Sequence, residues 1–386
     1  MGTSIILECL QKVKDFKGIF LCILVCLPLS LSSQIKIDSI FDIKGSIQGI
    51  EDQECHLIYY AVTAGKNIEL KEVSSKIENG TFQLKGISYE PTLARFFYGN
   101  NDIVFYIEPV KMSLQIMNAE IGTYKLSGSR VQDEYEILNW DCRGYDECID
   151  SLKRLSSIDV SEQIDSVKML KNELAWSYIQ THPTSFYSIL LFPEIPFYKY
   201  PIDSIKGLYE ALSPEIRNSA RGLSIWKNIM QYDNIQIGKI APNFFARDWH
   251  GDEFELYSCK GRILLLDFWA SWCKPCLQLT EELKLLSKKH VVEDFQIIGV
   301  SVDTSVENWV KAIESKNLGM WIQLLCEEKP SGDKGECILD SYPVYPVPRL
   351  ILIDSKMRIA QVWVGYSTNM FDDVEKAVQQ LITDSK

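Results

Sequence analysis

An apolar run that ends just before a pair of cysteines constrains the fold of this 386-residue chain more than any other feature. Residues 262–270 are almost continuously apolar, as in a strand that is covered on both faces of its sheet. The following segment carries three leucines at the spacing of one helix face: Leu279, Leu283 and Leu286. Cys273 and Cys276 are therefore predicted to lie where a buried strand gives way to a helix.

The predicted position of Cys273 gives its sulfur an environment that favours an anion. The first turn of a helix leaves backbone N–H groups without partners, and their partial positive charge stabilises a thiolate. Lys274 adds a nearby cation, and Pro275 suits the φ angle of an early helical position. The pattern predicts thiol–disulfide exchange, in which Cys273 attacks a disulfide and Cys276, about one turn further along, resolves the mixed disulfide.

One acidic residue, Asp267, interrupts the apolar run six residues before Cys273. A buried carboxyl group of this kind can have a raised pKa and accept a proton from Cys276. The alternative is a solvated acid at the strand end, which takes no part in the exchange. We expect the first of these, with Asp267 as the third catalytic residue.

Strands and helices alternate over residues 237–386, which predicts an α/β layer structure around a central sheet. Strands are expected at residues 244–247, 262–270, 295–303, 349–354 and 359–365. The closing helix is expected to turn four apolar residues toward the core: Phe371, Val374, Val378 and Leu381. This region is the predicted C-terminal domain.

Short strands separated by turn residues are the pattern of residues 34–130, the predicted N-terminal domain. Asn79-Gly80 and Asn100-Asn101 are typical of tight hairpin turns. Polar and apolar residues alternate within this region, as in strands that are buried on one face. We expect an all-β, antiparallel sandwich- or barrel-like domain that serves as a binding or spacer module.

A helical period replaces the strand pattern over residues 131–236, the predicted helical connecting region. Ser213 precedes a proline and an acidic residue, which is the pattern of a helix start. Thr184 or Ser185 is expected to cap another helix. No low-complexity linker interrupts the region, so we expect these helices to be packed.

Eight cysteines lie outside the first 33 residues: Cys55, Cys142, Cys148, Cys259, Cys273, Cys276, Cys326 and Cys337. Residues 140–148 are expected to form a Gly-containing turn. Cys142 and Cys148 are candidates for a local disulfide there, and a second redox pair is the less favoured alternative. Cys326 and Cys337 lie in a long connection further along, as candidates for a structural disulfide or a secondary redox relay. An even number of cysteines permits complete pairing without proving it.

The first 33 residues have the composition of a secretory signal peptide. Three lysines precede an apolar run at 18–31 that ends in small residues. This run is shorter than the roughly 20 apolar residues that span a bilayer, so we expect cleavage, with an uncleaved N-terminal anchor as the alternative. The chain is therefore expected to be exported to the periplasm or cell envelope, where disulfides persist.

The formal net charge of −12 limits what the chain is expected to bind. No basic stretch is present that would neutralise a run of phosphates, so nucleic acid is not an expected partner. The sequence indicates no metal and no organic cofactor. A structural zinc site is an alternative interpretation of the Cys-x-x-Cys pair, but zinc normally takes four ligands and a second close pair is missing.

Residues 266–276 resemble the active-site segment of thioredoxins. Their surroundings resemble the TlpA/ResA-like bacterial envelope thiol–disulfide oxidoreductases, which are related to the AhpC/TSA proteins. The supporting segments are residues 240–244, 260–262, 299–303 and 345–348. The resemblance implies a thioredoxin fold at the C-terminus. It also implies a cis-proline loop in which Val347, before Pro348, binds an extended substrate segment, with Trp272 as a further substrate contact.

This resemblance implies a protein-disulfide oxidoreductase, and it favours the reducing direction. The direction stays open, because stabilisation of the Cys273 thiolate by the helix N-terminus and Lys274 favours an oxidant. The expected partners are exported protein thiols or disulfides. A redox-partner protein, for which a membrane protein is one candidate, is expected to supply the electrons. The N-terminal β region is more weakly similar to a domain that is often fused ahead of such thioredoxins.

Two other functions compete with this interpretation. A peroxiredoxin requires Thr or Ser three residues before its peroxidatic cysteine, where this chain has Ala270. A non-catalytic envelope binding protein would use the thioredoxin fold only as a scaffold, and the intact Cys273 and Cys276 disfavour that interpretation.

The chain departs from the family pattern at two positions after the second cysteine. Some envelope members carry a catalytic glutamate where this chain has Leu279, so proton transfer is assigned to Asp267. Relatives usually carry a proline where this chain has Glu281, so the helix is expected to lack their kink.

Overall fold

The structure, a computed structural model, describes residues 39–384 except 121, 155–159, 291–294, 327–337 and 368, and it leaves out the side chains of residues 140 and 141. The predicted leader and Cys337, with its proposed pairing to Cys326, lie outside the described residues. The chain divides into two compact units. One comprises the residues up to Pro196 and Ser204–Trp226, and the other comprises Phe197–Asp203 and the residues from Lys227 onward.

Eight strands of the first unit form a β-sandwich, as predicted. They are β1 (Ile40–Ile47), β2 (Gln53–Val62), β3 (Ile68–Ile77), β4 (Thr81–Ile87), β5 (Thr92–Tyr98), β6 (Asn101–Ile107), β7 (Lys111–Asn118) and β8 (Thr123–Ser127). One sheet has the order β4-β1-β7-β8 and the other the order β3-β2-β5-β6. Successive side chains point to opposite faces, so alternate residues of both sheets, such as Phe96 and Leu114, are buried in one shared core.

The strand pairing of the sandwich differs from the prediction in three respects. β1 and β7 run parallel, so the domain is not purely antiparallel. Asn79-Gly80 forms the expected tight turn, with a positive φ at both residues, but β3 and β4 then enter different sheets and share only an isolated bridge. The second turn lies at Gly99-Asn100, one residue earlier than predicted, because β6 already begins at Asn101.

Within the described residues, six α-helices follow the sandwich along the chain. They are α1 (Arg130–Lys153), α2 (Ser161–Thr181), α3 (Phe186–Leu190), α4 (Ile202–Glu210), α5 (Pro214–Arg217) and α6 (Ala220–Asn234). Ser185 and Ser213 cap α3 and α5, because each hydroxyl accepts a hydrogen bond from a backbone N–H of the first turn. The expected turn at residues 140–148 is wrong, since α1 is continuous there. The helical rise separates the Cα atoms of Cys142 and Cys148 by about 9 Å, more than a disulfide spans.

The second unit contains a separate antiparallel pair of strands, β9 (Phe245–Arg247) and β10 (Glu253–Glu255). It is built on a five-stranded sheet whose strands are β11 (Ile263–Trp269), β12 (Phe295–Ser301), β13 (Ile322–Leu325), β14 (Arg349–Ile353) and β15 (Ile359–Val364). Their order in the sheet is β13-β12-β11-β14-β15. β11 lies in the centre, parallel to β12 and antiparallel to β14, and all its residues are buried. The sequence pattern did not reveal β13.

Among its described residues, the second unit has four further α-helices: α7 (Lys274–Lys289), α8 (Val306–Lys316), α9 (Ile338–Ser341) and α10 (Met370–Asp384). The three leucines predicted on the buried face of α7 are fully buried. α7 and α10 pack against each other, and Val374 and Val378 of α10 lie in the core. These layers confirm the predicted thioredoxin fold. Of the helices described, none combines the length and apolarity needed to cross a bilayer.

Candidate active site

Cys273 and Cys276 lie at the junction between β11 and α7. Cys273 is the N-cap residue of α7, and its Sγ accepts a hydrogen bond from the backbone N–H of Cys276 at 3.2 Å. The two sulfurs form a disulfide, and both side chains are buried. The N-terminus of the helix thus meets the sulfur of Cys273, an arrangement that favours a thiolate once the disulfide is reduced.

Three exposed residues frame this disulfide. Trp272 is 63% exposed, and Lys274 and Pro275 also face solvent. Pro275 lies in the first turn of α7, where its missing N–H leaves no helical hydrogen bond unmade. The indole of Trp272 therefore offers a large aromatic surface directly beside the cysteine pair.

Asp267 lies within β11 and is only 3% exposed. Its neighbours on the adjacent strands are Gly299 and Leu350, whose side chains offer no hydrogen bond. Within the described part of the chain, its Oδ1 has no hydrogen-bond partner. Burial raises the pKa of Asp267 to about 7, because the apolar surroundings penalise the charged form. The carboxyl group is thus buried rather than solvated, and it changes protonation near neutral pH.

The loop of residues 343–348 lies directly ahead of β14. The peptide bonds before Pro346 and Pro348 are both cis. Tyr345 is 58% exposed, whereas Val347 is partly buried and Pro348 is buried. β14 begins beside the end of β11, to which it is antiparallel, so this loop and the cysteine pair lie at the same end of the sheet.

A buried carboxylate that was not among the predicted site residues holds the segment ahead of the cysteines. Asp303 follows β12, and its Oδ2 accepts a hydrogen bond from the backbone N–H of Ser271 at 2.8 Å. Its Oδ1 accepts one from the Ser271 hydroxyl at 2.7 Å, and the Ser301 hydroxyl donates to Oδ2 at 2.7 Å. Asp303 therefore fixes the chain two residues before Cys273. In the sequence, Asp303 is recognisable only as an acidic residue that follows the buried strand β12.

The two departures from the family pattern have different surroundings in α7. Leu279 is fully buried and has no ionisable group. Glu281 is exposed and forms an ion pair with Lys284 at 2.9 Å. The helix continues without interruption through both positions. Neither residue replaces Asp267 as a buried carboxyl group.

The surroundings of the cysteine pair bear on the zinc and peroxidase interpretations. In the described ranges, no three His, Cys, Asp or Glu side chains are grouped so that they would hold a metal ion. Ala270 is fully buried and carries no hydroxyl group, although a peroxiredoxin requires one at this position.

Known proteins resemble both ends of this chain. The model of the AhpC/TSA family matches residues 237–362, and that of a domain of unknown function, DUF4369, matches residues 41–135. A thiol-disulfide oxidoreductase ResA of Bacillus cereus is 32% identical over 139 residues, which cover 35% of this chain and 74% of the relative. The chain belongs to the ResA-like thiol–disulfide oxidoreductases.

Other relatives of this ResA-like chain carry the same description. ResA of Bacillus subtilis (strain 168) is 30% identical over 139 residues, which cover 35% of this chain and 72% of the relative. Among solved structures, the thioredoxin domain of a thiol-disulfide oxidoreductase from Bacteroides vulgatus is 31% identical, with a TM-score of 0.33, and the match covers 37% of this chain and 98% of that chain. As a ResA-like enzyme, the protein exchanges dithiols and disulfides with protein substrates, and the peroxidase alternative has less support.

Proposed function

We propose that this protein is a disulfide reductase of exported proteins, with Cys273 as its nucleophile and Cys276 as its resolving thiol. The observation that carries the exchange chemistry is the sulfur of Cys273 at the N-cap of α7, joined to Cys276 within the first turn. The reducing direction is taken from the family resemblance, because stabilisation of the thiolate by itself favours an oxidant. In the reduced protein, the helix N-terminus and the nearby Lys274 favour the thiolate of Cys273. This thiolate is the attacking group in disulfide exchange.

The reaction moves two electrons from the cysteine pair to the substrate disulfide in two steps. First, the thiolate of Cys273 attacks one substrate sulfur, a mixed disulfide forms, and the other substrate sulfur leaves as a thiolate. Cys276 then loses its proton and attacks the sulfur of Cys273, which releases the second substrate thiolate. The enzyme is left with the Cys273–Cys276 disulfide and the substrate with two thiols.

Asp267 is proposed to accept the proton that Cys276 loses in the second step. Because its pKa is about 7, the carboxyl group is divided near neutral pH between a form that accepts a proton and a form that returns one. Its burial and its lack of a hydrogen-bond partner for Oδ1 among the described residues support this role, since no neighbouring donor holds the charged form.

Substrate binding is assigned to Trp272, Val347 and Pro348. The exposed indole offers apolar area, and the backbone of Val347 offers hydrogen-bonding groups to an extended segment. Lys274 and Pro275 tune the redox pair, because the ammonium group adds positive charge and the proline suits the first helical turn.

The substrates are proposed to be proteins of the periplasm or cell envelope. The support is the signal-like composition of residues 1–33, with an uncleaved anchor as the alternative to a cleaved leader. In such a compartment a reductase needs an electron donor, because no glutathione pool keeps thiols reduced there. A redox-partner protein, such as a membrane protein, is proposed to reduce the Cys273–Cys276 disulfide after each turnover.

The redox potential of the Cys273–Cys276 pair tests the reducing direction. We expect a value nearer to the roughly −270 mV of thioredoxin than to the roughly −120 mV of a strong dithiol oxidant. Equilibration of the full chain with glutathione or dithiothreitol buffers gives this number, and insulin reduction by the same preparation measures activity. A potential near that of the strong oxidant would reverse the proposed direction, while leaving disulfide exchange intact.

Cys276→Ser should accumulate mixed disulfides with substrate proteins. The variant keeps the attacking thiol but has no thiol to resolve the first intermediate, so the substrate stays bound to Cys273. Non-reducing electrophoresis followed by mass spectrometry of exported proteins measures this. The matched control is the double variant Cys273→Ser, Cys276→Ser, which should capture none. Equal capture by both variants would contradict the assignment of the two roles.

A further inference from the structure

Arg349 is the first residue of β14 and directly follows the buried Pro348. Its side chain is 0% exposed, which is rare for arginine. Within the described ranges, its polar contacts are to carbonyl groups and a tyrosine hydroxyl rather than to a carboxylate. Burying a cation without an opposite charge is unfavourable, so the hydrogen bonds of this guanidinium group must offset a real cost.

The contacts of Arg349 converge on the loop of residues 343–348. One terminal nitrogen, Nη1, donates to the carbonyl oxygen of Pro343 at 2.6 Å. The other, Nη2, donates to the carbonyl oxygen of Tyr345 at 3.3 Å and to the hydroxyl of Tyr232 at 2.6 Å. The guanidinium carbon also lies 5.2 Å from the centre of the Tyr232 ring. The cation therefore joins two carbonyl groups of the loop to one residue of α6.

This geometry depends on the shape of the arginine side chain. A guanidinium group presents several N–H donors in fixed directions within one plane, whereas a lysine ammonium group is a compact point charge. The planar group reaches Pro343 with one nitrogen and Tyr345 and Tyr232 with the other, an arrangement that a single ammonium nitrogen does not reproduce. Pro343 and Tyr345 lie outside the described helices and strands, so no regular backbone pairing holds the loop at these two residues.

We infer that Arg349 is a positioning residue for substrate, which fixes the loop of residues 343–348 so that Val347 and the exposed Tyr345 receive an extended segment of the client protein beside Cys273. This inference rests on the proposed function and deepens it. Arg349 does not touch the reacting sulfurs and acts through the loop. It should therefore govern the affinity for protein substrates and leave the chemistry of the cysteine pair unchanged.

Kinetics of Arg349→Met in the full chain test this role. We expect the KM for insulin to rise about tenfold or more, since charge-assisted hydrogen bonds to the loop are lost. The kcat, the redox potential and the rate of reaction with a small aromatic disulfide reagent should stay within about twofold of the wild-type values. Arg349→Lys should recover part of the insulin affinity, and Tyr232→Phe should raise KM in the same direction by a smaller factor.

Arg358→Met is the matched control, because Arg358 is an exposed arginine of the same unit whose Nη1 donates to the carbonyl oxygen of Gly238. It should leave KM for insulin unchanged. The inference is overturned if Arg349→Met leaves the KM for insulin unchanged. It is also overturned if the variant slows insulin reduction and the reaction with the small disulfide reagent by the same factor. If circular dichroism shows that Arg349→Met does not fold, the KM of Tyr232→Phe for insulin is measured instead, and an unchanged value overturns the inference. A wild-type chain that does not reduce insulin would instead contradict the proposed function.

Discussion

Cys273→Ser should lower insulin reduction to the uncatalysed rate, a loss of about a thousandfold or more. A serine hydroxyl at the N-cap of α7 still accepts the hydrogen bond from the backbone of Cys276, so the helix is expected to form. It is not ionised near neutral pH and does not attack a disulfide. The measurement is insulin reduction by the full chain, with the folded state checked by circular dichroism.

Cys259→Ser is the matched control for this prediction. Cys259 is a buried cysteine of the same unit, in the single helical turn Leu256–Cys259, and has no role in the proposed exchange. Its replacement should leave insulin reduction within about twofold of the wild-type rate. Activity that survives Cys273→Ser would end the proposal that the cysteine pair carries the reaction.

Asp267→Asn should stabilise the folded protein above pH 7 and slow its turnover. The pKa of Asp267 is about 7 in the folded state, against an ordinary value of 3.8. Between pH 3.8 and pH 7 the folded state keeps a proton that the unfolded state releases, so the free energy of unfolding falls as pH rises. Above pH 7 the full penalty, about 4 kcal/mol, is present. A buried amide carries no such penalty, although its own desolvation offsets part of the gain.

We therefore expect the free energy of unfolding of Asp267→Asn to exceed that of the wild type by about 2 kcal/mol near pH 8 and to differ little near pH 4. Denaturant unfolding of the oxidised protein at the two pH values measures this. The control is Glu253→Gln, which removes an exposed carboxyl group of the same unit, paired with the exposed Arg247 at 3.6 Å, and should change the free energy of unfolding by less than about 1 kcal/mol at either pH. An equal stability change at both pH values would contradict the buried ionisation of Asp267.

Asp267→Asn should slow turnover, although it stabilises the folded protein. Without a proton acceptor for Cys276, the release of the mixed disulfide should slow by about a hundredfold near pH 7. Formation of the mixed disulfide should be unaffected, because the thiolate of Cys273 is stabilised by the helix N-terminus. Rapid-quench trapping separates the two steps. A variant whose first step slows instead would place Asp267 in a different role.

The sequence alone predicted the elements on which the cysteine pair depends. The continuous apolar run indicated β11, the leucine spacing indicated α7, and the junction between them placed Cys273 at a helix N-terminus. Alternating residues likewise predicted the β-sandwich, and Ser213 predicted the start of α5. These features were readable because periodicity and capping depend on residues that are close together in the chain.

Pairing between distant segments was decided by the tertiary structure. Asn79-Gly80 forms a tight turn whether or not its flanking strands share a sheet, so the local pattern did not reveal that β3 and β4 separate. The Gly-containing segment at 140–148 suggested a turn, but burial of residues on both sides, including Leu138 and Ile149, accompanies a continuous helix. Local propensity is weak enough for such packing to override it.

Asp303 and Arg349, two of the buried ionisable residues near the site, show the same limit. Asp303 meets Ser271 across 32 residues of sequence, and Arg349 meets Tyr232 across 117. In the sequence each is a charged residue at the end of a strand, where exposure to solvent is the usual outcome. The sequence by itself determined which residues carry the redox chemistry. Only the fold decided which charged groups hold that chemistry in place, because a buried charge is stable only where the folded chain supplies its hydrogen-bond partners, and some of these come from distant segments.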